Sequence, residues 1–324
     1  MGLIESTIKT GRNSGSLRAR VAGGPAARRA WLKDRWLYLM LVPGLFYFAI
    51  FKFAPMFGLV LAFENFQPFL GFLKSPWVGL SHFHRFFTEP DFWRLTRNTL
   101  IMGTLNILFF FPVPIILALL INELRMVWFK RLVQNAIYVP YFISWVVVAG
   151  LTYTFFTTEG GIFNNFLESI GAAKVSPLVS EAAFRPMILL QVIWKESGWG
   201  TIIFLAALTG IDPELYQAAE IDGAGRWNRF WHITLPSIRG TIVIVLLLRI
   251  GTFFDSGFEQ LLLMINSLNR DVGEVLDTFV YQMGIAGGQF SYTTAIGLFK
   301  AALALAFVVV ANKIAKLSGE EGLF

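Results

Sequence analysis

Six apolar segments, each long enough to cross a lipid bilayer, constrain the fold of this chain more than any other feature of its sequence. A helix needs about 20 apolar residues to span a hydrocarbon core about 30 Å thick. Because no water is available there, the backbone groups must find their hydrogen bonds within the helix. We therefore predict an all-α integral membrane protein with six transmembrane helices, near residues 36–62, 97–122, 132–156, 185–209, 238–264 and 292–315.

Basic residues are concentrated in alternate loops between these segments. Eight Lys and Arg residues lie among the first 35 residues, against Glu5 and Asp34. By the positive-inside rule, both termini and the polar loop after the fourth segment are predicted to be cytoplasmic. The net charge of +6 is then an orientation signal and a contact with anionic membrane lipid, and it does not indicate nucleic-acid binding.

The sequence divides into three parts by composition. Residues 1–35 form a basic cytoplasmic tail that ends in an interfacial helix, and residues 36–317 form the transmembrane domain. A polar hairpin at 212–236 interrupts the transmembrane domain between its fourth and fifth helices. Residues 318–324 form a short cytoplasmic C-terminal tail.

Few residues are available for catalysis or metal binding. The chain has no cysteine, and its three histidines are too few for a convincing metal cluster. No segment has the form G-x-x-x-x-G-K-[ST], so we expect no ATP binding or hydrolysis by this chain. We predict no catalytic residue, no metal and no cofactor here, and a source of energy on other polypeptides.

The sequence of the polar hairpin predicts a short helix that docks on a soluble partner. Asp212 can cap the helix, Pro213 suits its first turn, and Gly223 can end it in a left-handed turn. A helix of about ten residues is roughly 15 Å long at about 1.5 Å per residue. The small residues Ala218 and Ala219 leave room for another protein to approach closely. The polar residues Glu214, Gln217 and Glu220 offer contacts nearby.

This hairpin resembles the cytoplasmic EAA loop of ABC importer permeases, which has Glu-Ala-Ala, three residues, Gly, nine residues, Ile, one residue and Leu-Pro. The corresponding residues are Gln217, Ala218, Ala219, Gly223, Ile233, Leu235 and Pro236, so six of seven positions match. Gln217 replaces the usual Glu, which removes a charge but keeps a hydrogen-bonding side chain. The resemblance implies ATPase coupling through Glu214, Gln217, Ala218, Ala219, Glu220, Asp222, Gly223 and Arg226.

Other motifs are similar to those of polysaccharide-type permeases among the carbohydrate ABC importers. They lie in residues 38–80, at Trp194-Lys195-Glu196, at 198–200 and at 292–300, and the likeness covers roughly residues 35–317. The resemblance implies a second permease subunit, two ATPase subunits that carry ATP and Mg, and a periplasmic or extracellular solute-binding protein. It also implies that an oligosaccharide or polysaccharide is moved inward when the ATPase dimer closes and rotates the helix bundles.

Charged residues inside the predicted spans indicate a pathway, since each costs about 2.5 to 3.5 kcal/mol at a helix centre. Asp255 and Glu259 are four residues apart, so we expect both on one helix face. Aromatic residues beside the charged positions are candidates for stacking on sugar rings. The predicted pathway residues are Trp194, Lys195, Trp199, Arg249, Phe253, Asp255 and Glu259.

Arg249 has no acidic residue three or four positions away, where a neighbour on the same helix face would lie. Three partners are open: Asp255 or Glu259 across a bend, a carboxylate of the second permease, or an acidic cargo. A guanidinium matches a carboxylate with two parallel hydrogen bonds, so a uronic-acid chain suits the third alternative. Neutral oligosaccharides remain a competing cargo. An ion-coupled secondary transporter that uses Asp255 and Glu259 is the alternative from a different class.

Overall fold

The computed structural model of the protein describes residues 35–255, 257–319 and 322. These residues fall into two compact units that divide between Leu59 and Val60. In the first unit, α1 (Arg35–Phe48) is followed by a π-helical turn (Ala49–Phe53) and α2 (Ala54–Met56). No β-strand occurs among the described residues, where the only strand-like pairing is a single bridge between Glu64 and Trp77. The predicted all-α fold is therefore confirmed.

The second unit contains helices α3 to α16. Short π-helical or 3₁₀ turns extend several of these helices. The remaining residues form the connections. The helices are α3 Ser81–Thr88, α4 Asp91–Leu105, α5 Pro112–Asn122, α6 Val127–Tyr138, α7 Trp145–Phe156, α8 Ile162–Ser169, α9 Glu181–Thr209, α10 Pro213–Ile221, α11 Arg226–Arg229, α12 Leu235–Gly251, α13 Phe258–Met264, α14 Arg270–Gly273, α15 Leu276–Val280 and α16 Phe290–Leu317.

Within the described part of the chain, four helical stretches are long and apolar enough to cross a membrane: Trp36–Phe63, Asp91–Asn122, Arg226–Gly251 and Phe290–Leu317. A fifth candidate is the pair Val127–Phe142 and Trp145–Phe156, which is bent by 100°. The predicted count of six spans is thus not confirmed by length and hydropathy. The predicted fifth span, 238–264, is wrong in its bounds, because the helix ends at Gly251 and a new one begins at Phe258.

Helix α9 corresponds to the predicted fourth span and lies at the centre of the second unit. It is 29 residues long, or about 44 Å at about 1.5 Å per residue. Its first half packs in one apolar cluster through Phe184, Met187 and Ile188, and its second half in another through Phe204 and Leu208. Because other helices surround it, α9 accommodates charged residues that a lipid-facing helix excludes.

Three wide turns in the long helices are associated with proline. The π-helical turns at Ala49–Phe53, Asn106–Phe110 and Phe230–Thr234 each end two residues before a proline. A proline ring clashes with the carbonyl one turn earlier and donates no hydrogen bond. A wide turn at that point relieves the clash and lets the helix continue. The helical stretch Asp91–Asn122 therefore continues past Pro112 without a break.

Candidate functional site

The polar hairpin forms the helix that the sequence predicts. Oδ1 of Asp212 accepts the backbone N–H of Glu214 at 2.9 Å, and Pro213 occupies the first turn of α10. Gly223 has a φ of +76°, and the next residue, Ala224, donates its N–H to the Ala219 carbonyl at 2.8 Å. These contacts fix both ends of α10, and so its nine residues form a defined rod.

Two contacts join α10 to the second arm of the hairpin. The hydroxyl of Tyr216 lies 2.9 Å from that of Thr234, and Arg229 lies 3.5 Å from Glu220. Glu220 is mostly exposed, so this ion pair contributes little stability, about 0–1 kcal/mol. Ala219 is half-buried, whereas the other predicted coupling residues are exposed: Glu214, Gln217, Ala218, Glu220, Asp222, Gly223 and Arg226.

Arg249 finds its anionic partner on the central helix α9. Its Nη2 lies 3.7 Å from Oε2 of Glu196 and donates a hydrogen bond to Oδ1 of Asn106 at 3.0 Å. Its guanidinium also lies 4.7 Å from the ring centre of Phe110. Glu196 is a partner outside the three alternatives that the sequence left open. About one-third of the Arg249 side chain stays exposed, so it remains accessible on one side.

Lys195, the neighbour of Glu196, points into an aromatic environment. The side chain is buried, and Nζ donates to the backbone carbonyl of Tyr141 at 3.0 Å. It lies 5.3 Å from the Tyr141 ring and 5.2 Å from the Trp145 ring, distances typical of cation–π contacts. The Tyr141 ring stacks on Trp199 with centroids 5.2 Å apart. Lys195 thus links α9 to the bend between α6 and α7.

Asp255 and Glu259 lie on different elements, and the prediction that they share one helix face is wrong. The helix break at 252–257 separates them, with Gly257 in the left-handed region at a φ of +69°. Asp255 accepts a hydrogen bond from Nζ of Lys300 at 2.6 Å, and Asp277 accepts one from the same atom at 2.5 Å. Lys300 therefore holds the break between α12 and α13 against α15 and α16.

The remaining predicted pathway residues differ in accessibility. Trp194 and Trp199 are half-exposed, and Glu259 is exposed with no ion pair among the described residues. Phe253 is buried between Phe254 and Phe307, with ring centroids 5.1 and 5.2 Å away. The structure does not bring all seven residues into one cavity. Their assignment to a substrate pathway stays a prediction.

Several polar residues that form contacts in the structure were not predicted from the sequence. Asn106 and Asp277 were not singled out, and neither was a buried network in which Gln191 bonds Thr152 at 2.7 Å and Gln260 bonds Gln191 at 2.7 Å. One signal was available for Glu196 and Arg249. Each residue is a charge inside a predicted span with no opposite charge three or four residues away on its own helix. Two opposite charges of this kind on different helices are expected to pair with each other.

With this geometry established, comparisons with known proteins identify the class. A family model described as binding-protein-dependent transport system inner membrane component matches residues 93–318. This range covers most of the chain, including most of α4, all of α5 to α16 and the polar hairpin. The chain therefore belongs to this family and is a multi-pass protein of the inner membrane.

Two similar proteins match this chain over most of its length, and one of them is described as a permease. The polygalacturonan/rhamnogalacturonan transport system permease protein YteP of Bacillus subtilis (strain 168) is 52% identical over 90% of this chain and 91% of its own length. Protein LplB of the same strain is 54% identical over 90% of this chain and 92% of its own.

A solved structure agrees in fold. One chain of a bacterial alginate ABC transporter, crystallised with its alginate pentasaccharide-bound periplasmic protein, matches 91% of this chain and 99% of its own. The TM-score is 0.84 and the sequence identity 38%. The chain is thus a permease of the carbohydrate ABC importers, as the motif resemblance predicted.

Proposed function

We propose that this chain is one permease subunit of an ATP-driven importer that moves an acidic oligosaccharide into the cytoplasm. Separate ATPase subunits supply the energy, a second permease completes the pathway, and a solute-binding protein delivers the cargo. The single observation that carries the proposal is α10, a short helix with both ends fixed and an exposed polar surface between two membrane helices. Such a rod can transmit the movement of an ATPase to α9 and α12.

The relatives support an acidic cargo. YteP is described as a polygalacturonan/rhamnogalacturonan permease, and a solved relative as a transporter of the acidic polysaccharide alginate. Polygalacturonan and alginate both carry one carboxylate on each sugar unit. Arg249 is partly exposed and already coordinates one carboxylate, and Trp194 and Trp199 offer aromatic faces for sugar rings. A uronic-acid oligosaccharide is therefore the cargo that we propose.

Co-purification tests the importer against the ion-coupled carrier. Extraction in mild detergent is expected to retain an ATPase in stoichiometric amount, and reconstituted uptake is expected to require ATP. Uptake by the lone chain, driven by an ion gradient, would contradict the proposal. The pairing of Asp255 with Lys300 already argues against a carrier that uses Asp255 and Glu259 together as an ion site.

Two substitutions at one ion pair test the cargo. Arg249→Gln removes the guanidinium, and Glu196→Gln breaks the same pair but leaves the guanidinium in place. If Arg249 contacts a carboxylate of the cargo, Arg249→Gln should lower uptake of uronic-acid oligosaccharides about tenfold or more and spare neutral ones. Glu196→Gln should keep the preference for acidic cargo. Equal losses in both variants for both cargoes would show that the pair is structural.

A further inference from the structure

A polar cavity of about 230 Å³ lies behind α10, between the polar hairpin and the end of α5. Its walls include Arg125, Arg226 and Arg229 and a single carboxylate, that of Glu123. The hydroxyls of Tyr216 and Thr234 complete its polar surface. The volume corresponds to about eight water molecules at about 30 Å³ each, which suffices for a hydrated anionic group.

The cavity carries uncompensated positive charge. Arg229 has Glu220 at 3.5 Å, but neither Arg125 nor Arg226 forms an ion pair with any described residue. Two guanidiniums that share one concave surface repel each other unless an anion lies between them. A phosphate group is a suitable anion, because guanidinium groups bind phosphate oxygens with paired hydrogen bonds.

The position of the cavity identifies the source of the phosphate. The helical stretch Asp91–Asn122 ends at the cavity with the apolar run 112–121, and the stretch Arg226–Gly251 begins there with a polar turn that carries Arg226 and Arg229. Both limits place it at the level of lipid headgroups. Trp227 and Trp231 are exposed beside it, and aromatic side chains of this kind are typical of a membrane–water interface.

We propose that this cavity binds the phosphodiester headgroup of an anionic phospholipid, with Arg125 and Arg226 as the main contacts. The bound headgroup would also contact Tyr216 on α10 and Thr234 at the start of the next span. It would thereby hold the base of the hairpin against α5. This site is separate from the sugar pathway. It lies at the base of the hairpin, where Arg226 is also a predicted ATPase-coupling residue, but the proposed lipid binding does not depend on the identity of the cargo or of the ATPase.

Retained lipid measures the proposed binding directly. The full-length chain, with whatever subunits accompany it, is incorporated into nanodiscs of phosphatidylglycerol and phosphatidylcholine, released, and analysed by native mass spectrometry. We expect wild type to retain phosphatidylglycerol selectively. Arg125→Gln should reduce that retention about fivefold, the ratio that corresponds to about 1 kcal/mol for one basic residue at a lipid surface. Arg125→Lys should restore part of it.

Arg131→Gln is the matched control, since it removes the same charge from an exposed position six residues away that does not line the cavity. An equal loss in Arg131→Gln would overturn the proposal in favour of general surface attraction. Lack of selectivity in wild type would overturn it as well. Displacement of the lipid by excess inorganic phosphate would show a site for the free ion. Loss of ATPase binding with unchanged lipid retention would assign the cavity to a protein interface.

Discussion

Individual charges in the apolar part of the chain are held by specific partners. Lys300 bonds Asp255 and Asp277, and Arg249 pairs with Glu196. Each pair joins segments that are distant in sequence, so these contacts select which elements pack together. Breaking a pair costs more than its net stabilisation, because the remaining charge has no compensation in a low-dielectric surrounding.

Lys300→Met should therefore destabilise the protein. Lys300 and Asp277 are each about one-fifth exposed, so we expect a loss near the lower end of the range for buried pairs, about 3 kcal/mol. Thermal unfolding in detergent measures it. The double variant Lys300→Met with Asp277→Asn should recover part of the loss, since it also removes a carboxylate that has lost its lysine partner. Additive losses in the double variant would contradict the pairing.

At the scale of elements, α9 approaches its neighbours closely at glycine. A Cβ at Gly198 would clash with the backbone of Ile137 and Tyr138 at the end of α6. Backbone atoms move less readily than side chains, and this contact is next to the bend between α6 and α7. Glycine at position 198 is thus required by helix packing rather than by backbone conformation.

Gly198→Ala should cost about 1–3 kcal/mol, the usual range for overpacking. Gly150→Ala, in the middle of α7 where a Cβ would meet nothing within 4 Å, is the control and should be neutral or slightly stabilising. The unfolding temperatures of the two variants in detergent measure the difference. Equal unfolding temperatures would refute the close approach.

The polar hairpin offers a second matched comparison. Gly223 has a φ of +76°, whereas Gly225 has an ordinary φ of −67°, and both face open space. Gly223→Val should strain the turn by at least about 1–2 kcal/mol and displace the end of α10. Gly225→Val should be tolerated.

In proteoliposomes with the partner subunits, we expect Gly223→Val to uncouple ATP hydrolysis from uptake and Gly225→Val to retain coupling. Full uptake by Gly223→Val would show that the geometry of α10 does not matter for transport.

For the molecule as a whole, the charge distribution predicts that α10 faces the cytoplasm. The absence of native cysteine makes this prediction simple to test with single-cysteine variants. Ala218→Cys lies on α10, and Leu73→Cys lies at a fully exposed position in the connection before α3. An impermeant maleimide should label Ala218→Cys only in inside-out vesicles and Leu73→Cys only in intact cells. Labelling of both from the same side would contradict the orientation.

The helical class and the ends of α10 follow from local sequence, because apolar length, an N-cap and a left-handed glycine act within a few residues. The break at 252–257 does not, since it depends on Lys300, some 45 residues further along. The ionic partner of Arg249 could not be predicted from local sequence either, because the pair forms only when α12 packs on α9. The roles of proposed pathway residues such as Glu259 are equally hard to predict from local sequence, because they depend on which helix faces pack against each other.

The burial of charge on α9 also bears on how the protein is made. A segment that carries Arg185, Lys195 and Glu196 enters lipid poorly by itself, and its ionic partner Arg249 is synthesised about 50 residues later. We therefore expect the insertion machinery to retain this segment until the following one emerges from the ribosome. Biogenesis would then proceed by release of a helix pair rather than one helix at a time.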